Sequence, residues 1–173
     1  MRRALYPGTF DPITYGHLDI IERSLRIFDE VIVSVADTRP GCLFSVDERV
    51  ELVRAATAHL GRVTVTSFRE LLVDLWRRLD KPTVVRGLRA VQDFEAEFAM
   101  ALANRRMAED FEILFLMPRS DYVFLSATIV RDVARWGGDV SAMVPKVVAA
   151  ALERKFAQSP LAAENALGNG GVE

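Results

Sequence analysis

Short apolar runs alternate along the chain with longer stretches in which apolar residues recur at every third or fourth position. The runs have the form of buried strands, and the stretches have the form of helices with one face on a core. Ala4 to Tyr6 is predicted as the first strand. Leu18, Ile21, Leu25 and Phe28 then share one face of a helix over Gly16 to Phe28. Val31 to Val35 is the second strand, followed by a loop with Pro40 and Gly41. Ser45-Val-Asp-Glu48 has the pattern of a capping box and opens a helix that ends near His59, before Gly61.

Arg62 to Phe68 carries the β-branched content of a third strand, and Leu71, Leu72, Leu75 and Trp76 mark a helix within Glu70 to Leu79. Thr83 to Arg86 is the fourth strand, Asp93 to Asp110 a long amphipathic stretch, and Glu112 to Met117 the fifth strand. Ser126 to Trp136 is a helix stopped by Gly137-Gly138, and Pro145 to Phe156 a last helix with proline in its first turn. This order predicts an α/β fold: a single-domain, doubly wound (Rossmann-like), five-stranded parallel sheet with helices on both faces, whose ligands bind beyond the carboxyl ends of the strands. The domain is expected over residues 1–157. Residues 158–173 have no sustained period and are expected to form a disordered C-terminal tail.

Composition narrows the function. Half of the 173 residues are hydrophobic and 27% are charged, as in a globular protein. The 22 basic and 24 acidic residues leave a formal net charge of -2, so the whole chain offers no footprint for nucleic acid or an anionic membrane. Any charge that holds phosphate must be local. Cys42 is the only cysteine, which excludes an intrachain disulfide or a cysteine-rich metal site and fits a reducing cytoplasm. The N-terminus turns at Pro7-Gly8 before a signal region can form, and no apolar stretch is long enough to span a bilayer. A cytoplasmic protein is expected. His59, Trp76 and Trp136 read as structural residues.

Three segments carry chemistry. Pro7-Gly8-Thr9-Phe10-Asp11-Pro12 lies between the first strand and the first helix, where unpaired N–H groups and the helix dipole favour an anion. Gly8 and Gly16 would let backbone approach it, Thr9 adds a hydroxyl and His17 an imidazole. The second segment, Arg86-Gly87-Leu88-Arg89, ends the fourth strand and precedes Asp93-Phe-Glu-x-Glu97, and a guanidinium binds phosphate oxygens in pairs. The third runs from Tyr122 through Ser126 and Thr128 to Arg131. Capping accounts for Ser126, while the same hydroxyls and N–H groups suit the outer phosphates of a nucleotide. A dehydrogenase is disfavoured, since no G-x-G-x-x-G follows the first strand.

Thr14-Tyr15-Gly16-His17 has the form TxGH, and together YPGTFDPITYGH, VRGLRAVQDFEAE and FLSATIVRDVA resemble the bacterial phosphopantetheine adenylyltransferase family of the TxGH nucleotidyltransferases. The similarity runs from about Arg3 to Leu152 and includes MALANRRM and GGDVSAMVP. TxGH marks only the superfamily; PGTFDPIT and RGLR-x3-DFE select this member. The resemblance implies adenylyl transfer from ATP to 4'-phosphopantetheine, with dephospho-coenzyme A and pyrophosphate as products. It implies that Thr9 and His17 are catalytic, and that Thr9, Phe10, His17, Gly87, Leu88, Arg89, Glu97, Tyr122, Val123, Phe124, Leu125, Ser126, Ala127 and Thr128 contact ATP. Thr9, Leu72 and Arg86 would contact the acceptor. It implies Mg2+ on the triphosphate with few protein ligands of its own, and a homo-hexamer.

Two positions depart from the family. Its lysine in the loop after the second strand is missing from Ala36 to Phe44, where Arg39 is the nearby cation and the candidate substitute. Ala127 stands where the family has a serine in a run of hydroxyls. A related nucleotidyltransferase with another phosphate acceptor, and a non-catalytic nucleotide-binding module, remain as alternatives.

Overall fold

The computed structural model describes residues 1–37, 40–89 and 91–157, so Arg39 and the C-terminal 158–173 lie outside the described residues. Five strands, β1 (Arg3–Gly8), β2 (Glu30–Ala36), β3 (Val63–Phe68), β4 (Thr83–Gly87) and β5 (Ile113–Leu116), form one sheet in the order β3-β2-β1-β4-β5. Each adjacent pair is parallel. The chain winds outward from β1 to β3 and then returns to the other side of β1 for β4 and β5. This reversal opens a crevice at the carboxyl ends of β1 and β4, the general ligand position in doubly wound sheets.

The helices are α1 (Tyr15–Ser24), α2 (Val46–Thr57), α3 (Leu72–Arg78), α4 (Val91–Met107), α5 (Ala127–Arg135) and α6 (Lys146–Ala157). Side chains alternate across the sheet because a strand has a period of two. Ala4, Tyr6, Val31, Val33, Val35 and Val85 enter one core with Ile21 of α1, Val53 of α2, Val130 of α5 and Leu152 of α6. Leu5, Ile32 and Val84 enter the opposite core with Val73, Leu75 and Trp76 of α3. Trp76 is buried and its indole N–H donates to the Pro82 carbonyl at 2.9 Å, which satisfies its polar atom.

The Ser45/Glu48 capping box forms as the sequence predicts, with both reciprocal bonds present. Other boundaries move. β1 continues through Pro7 and Gly8 because both pair with β2, opposite Ser34 and Val35. α1 ends at Ser24, yet Leu25 and Phe28 still reach the core through a turn closed by the Phe28 N–H on the Ser24 carbonyl. Two 3-10 turns, Ala58–Leu60 and Ser120–Tyr122, have no signature that the apolar period could reveal. α4 is not amphipathic toward this core: Phe94, Phe98, Met100, Leu102 and Met107 are all exposed. Trp136 is 69% exposed and packs no core, contrary to its expected role. No described helix is long and apolar enough to cross a membrane.

Candidate active site

At the carboxyl ends of β1 and β4 lies a cavity of about 480 Å³, within the range of small-molecule sites. Its walls include the turn from Pro7 to Asp11, the start of α1, Arg86, Gly87 and Arg89 after β4, and Leu125 to Thr128 at the start of α5. Two helix N-termini therefore converge on it. Both are capped by a side chain: Thr14 Oγ1 accepts the His17 N–H in α1, and Ser126 Oγ accepts the Ile129 N–H at 3.2 Å in α5. Gly16 and His17 of α1 and Ala127 and Thr128 of α5 line the cavity, so the positive ends of both helix dipoles lie beside it.

His17 is fixed from two sides. Its Nδ1 accepts the Thr14 backbone N–H at 3.0 Å, so α1 carries a capping box in which histidine takes the place of the usual glutamate or glutamine. A nitrogen that accepts cannot also carry the ring proton, so the neutral imidazole holds its proton on Nε2, the donor that remains for the cavity. Phe10 braces the ring edge-on, with centroids 5.1 Å apart. Burial, reinforced by the charges of Arg89 and Arg86, lowers the His17 pKa to about 4. The side chain is thus a neutral hydrogen-bond donor at neutral pH.

Phe10 has φ 48, the left-handed region that a bulky residue rarely occupies, and its ring is almost completely buried against Tyr6 and His17. Gly8 makes this possible: a Cβ there would lie 2.8 Å from the Phe10 ring. The small residue expected to admit an anion admits the phenyl ring instead. The peptide bond between Asp11 and Pro12 is cis. The Asp11 carboxylate accepts the N–H groups of Leu43 and Phe44 at 2.8 and 2.9 Å, tying the turn to the loop before α2. Arg131 donates to the Asp11 carbonyl and lies 3.6 Å from its carboxylate.

Three guanidiniums, Arg86, Arg89 and Arg131, line the cavity. Arg86 donates Nε to Glu97 at 2.8 Å, places a second nitrogen on the other oxygen of Glu97, and donates to the Pro7 carbonyl. Arg89 donates to the Leu125 carbonyl at 2.9 Å, joining the β4 segment to the start of α5. Burial pushes the Tyr6 hydroxyl up to about 12, against the pull of Arg86 and Arg89, so the phenol beneath the site stays protonated.

The cytidylyltransferase-like family model matches residues 5–133. Similar curated proteins are named phosphopantetheine adenylyltransferase: one from Moorella thermoacetica is 52% identical over 157 residues, covering 90% of this chain and 98% of that protein. One from Heliobacterium modesticaldum is 50% identical over 159 residues, covering 90% and 94%. The chain belongs to the phosphopantetheine adenylyltransferase family. A solved structure from Vibrio parahaemolyticus, put forward as a nicotinate-nucleotide adenylyltransferase, superposes with a TM-score of 0.66 at 19% identity, covering 92% of this chain and 98% of that one, and bears on the fold alone.

Of the residues that the phosphopantetheine adenylyltransferase pattern singles out, the fold brings Thr9, Phe10, His17, Arg86, Gly87, Arg89, Glu97, Tyr122, Leu125, Ser126, Ala127 and Thr128 onto one cavity. Leu72, Leu88, Val123 and Phe124 lie outside its lining. Leu72 packs half-buried against the α3 core, the Leu88 N–H extends the sheet ladder onto Leu116, and Phe124 is 87% exposed. The individual signatures did not point to Asp11, Arg49 or Arg131. Asp11 and Arg131 sit inside the quoted motifs, but their partners are 32 to 120 residues away in the chain, beyond any local spacing rule.

Proposed function

We propose that this cavity transfers the adenylyl group of ATP to 4'-phosphopantetheine, releasing pyrophosphate and forming dephospho-coenzyme A, in the cytoplasm. The reaction is the one named by the curated relatives, a step of coenzyme A biosynthesis. The observation that carries the mechanism is His17, held by its Nδ1 on the Thr14 N–H, in the wall of a cavity between two helix N-termini, which leaves Nε2–H as its donor.

An oxygen of the acceptor phosphate attacks the α-phosphorus, and the bond from that phosphorus to the bridging oxygen of pyrophosphate breaks in line with it. The attacking group is the substrate's own, so no side chain acts as nucleophile. His17 Nε2–H donates to an α-phosphate oxygen as charge grows there, without reorganisation of a ring already held by Thr14 and Phe10. Thr9 orients the acceptor phosphate toward the same centre, and positioning supplies much of the rate. Arg89 and the first turn of α5, with Ser126 and Thr128, hold the outer phosphates, while Arg86 holds the acceptor. Glu97, paired to Arg86, sets the direction of that guanidinium.

Magnesium would accompany the triphosphate. The described residues contain no cluster of three or more metal-ligating side chains, and the two cavity carboxylates, Asp11 and Glu97, already hold protein donors. Phosphate oxygens and water would then supply ligands to the ion. The ion would supply neutralisation of triphosphate charge, and the protein's own steps do not pass through it.

The test is pyrophosphate release. ATP with 4'-phosphopantetheine should release it, whereas CTP with the same acceptor, and ATP with nicotinate or nicotinamide mononucleotide, should not. Release with another pair alone would move the chain to a different acceptor, and no release with any pair despite ATP binding would make it a binding module.

A further inference from the structure

Arg49 belongs to no signature of the cavity. It is 2% exposed in the first half of α2, yet its guanidinium reaches three separate segments. One terminal nitrogen donates to the Thr9 carbonyl at 2.7 Å and to the Ala36 carbonyl at 2.9 Å, and Nε donates to the Phe44 carbonyl at 3.2 Å. Among the described residues it makes no ion pair with a carboxylate. A buried cation held only by carbonyl dipoles is expensive, and a fold keeps one where its geometry matters.

Its three acceptors define that geometry. Thr9 follows β1, Ala36 ends β2, and Phe44 closes the loop whose N–H groups receive the Asp11 carboxylate. The guanidinium thereby sets the distance between the end of β1, whose Thr9 lines the cavity, and the end of β2. Thr9 also precedes Phe10, whose left-handed backbone would relax toward an ordinary conformation unless it were held from outside. Arg131 holds the Asp11 carbonyl on the far side of Phe10. Two arginines from different helices thus grip the peptide carbonyls on either side of the strained residue.

We infer that Arg49 is a positioning residue for the reaction: its fork on the Thr9, Ala36 and Phe44 carbonyls holds Thr9 in its attack-orienting position against His17. This rests on the role proposed for Thr9. A lysine cannot reproduce the function, because its compact ammonium lacks the planar fork that spans these carbonyls, although it keeps the charge.

The experiment compares Arg49→Lys, Arg49→Met, Thr9→Ala and the Thr9→Ala/Arg49→Lys double variant, with kcat expressed per ATP-binding site so that unfolded protein does not count. Arg49→Lys should lower kcat by roughly tenfold to a hundredfold, as a misplaced orienting group does, with the KM for ATP within about twofold of the parent. In the Thr9→Ala background the same change should have almost no further effect on kcat. An Arg49→Lys protein with a lowered Tm but parental kcat per site would overturn the inference, because only the fold would then need Arg49. Fully multiplicative effects in the double variant would overturn it as well. A parental kcat in Thr9→Ala would refute the role of Thr9 itself, and the inference with it, whereas loss in Thr9→Ala without loss in Arg49→Lys would refute Arg49 alone. Arg49→Met should be no more active per site than Arg49→Lys; if lysine restores full activity that methionine loses, charge and not the fork is what counts.

Discussion

The Nδ1 atom of His17 accepts the backbone N–H of Thr14 at 3.0 Å, so the histidine proposed to serve the nucleotide also closes the first turn of its own helix. Cap and donor are opposite edges of one ring, and substitution can separate them. His17→Ala should lose both, at a cost of about 1 kcal/mol in stability from the cap and roughly 100-fold to 1000-fold in kcat from the donor. His17→Gln restores a residue that suits a capping box and should keep most of the stability, while its amide N–H, not held at the position of Nε2, should leave kcat well below the parent. Thermal unfolding and pyrophosphate release check the two halves. An alanine variant with near-parental kcat would show that the aimed N–H is not what accelerates transfer.

That double role was half legible. The TxGH spacing pointed to chemistry, and Thr14-x-x-His17 is also the spacing of a capping box, but the usual partner at that position is glutamate or glutamine and the histidine concealed it. Ser45 and Glu48, with the ordinary residues, were readable at once. The sheet was readable because strands buried on both faces give continuous apolar runs. Phe10 was not, since its left-handed backbone depends on the missing Cβ of Gly8 and on ring contacts with Tyr6 and His17, which exist only after folding. α4 misled for another reason: its apolar residues are real, but the monomer leaves them exposed, so no core of this chain sets their period.

Burial lowers the His17 pKa from 6.5 to about 4, with Arg89 and then Arg86 adding to the effect. As pH falls the unfolded chain takes up this proton before the folded chain does. The contribution of a neutral His17 to stability is therefore complete above about pH 6.5 and is lost as pH falls toward 4. The chain has 2 histidines, so a His59→Gln protein gives a single imidazole signal by NMR. Its midpoint should lie near 4, and Arg89→Ala should raise it only in part because burial remains the larger cause. A midpoint near 6.5 in the folded protein would mean that His17 is solvated and free to charge at physiological pH.

The exposed residues of α4 predict assembly. Phe94 stacks on Phe98 with centroids 5.4 Å apart, both are more than 40% exposed, and Met100 and Leu102 extend the apolar surface. A patch of this kind on a lone chain favours association. Light scattering should give the mass of a homo-hexamer for the parent, and Phe98→Glu should shift it to smaller species while the far-ultraviolet circular dichroism stays unchanged. A monomeric parent would refute the hexamer, and an unchanged mass for Phe98→Glu would place the interface elsewhere.

Arg86 and Glu97 supply the last prediction, since each was expected to touch a different substrate and the fold pairs them. Both Glu97 oxygens receive guanidinium nitrogens, and a further nitrogen is fixed on the Pro7 carbonyl, so Arg86 arrives at the end of β4 in a single orientation. The pair is partly buried, with side-chain exposures of 29% and 20%, and loss of one partner leaves a charge that water only partly stabilises. Glu97→Gln keeps the shape but replaces one acceptor oxygen by a donor, which repels one arm of the fork. If Glu97 acts through Arg86, this change should raise the KM for 4'-phosphopantetheine by about tenfold, a loss of roughly 1.4 kcal/mol, with the KM for ATP almost unchanged. Arg86→Ala should raise the same KM at least as much, and adding Glu97→Gln to it should change little, because the carboxylate then has nothing to aim. The opposite split, a raised KM for ATP alone, would mean that Glu97 serves the nucleotide directly and that its bond to Arg86 gives way when ATP arrives.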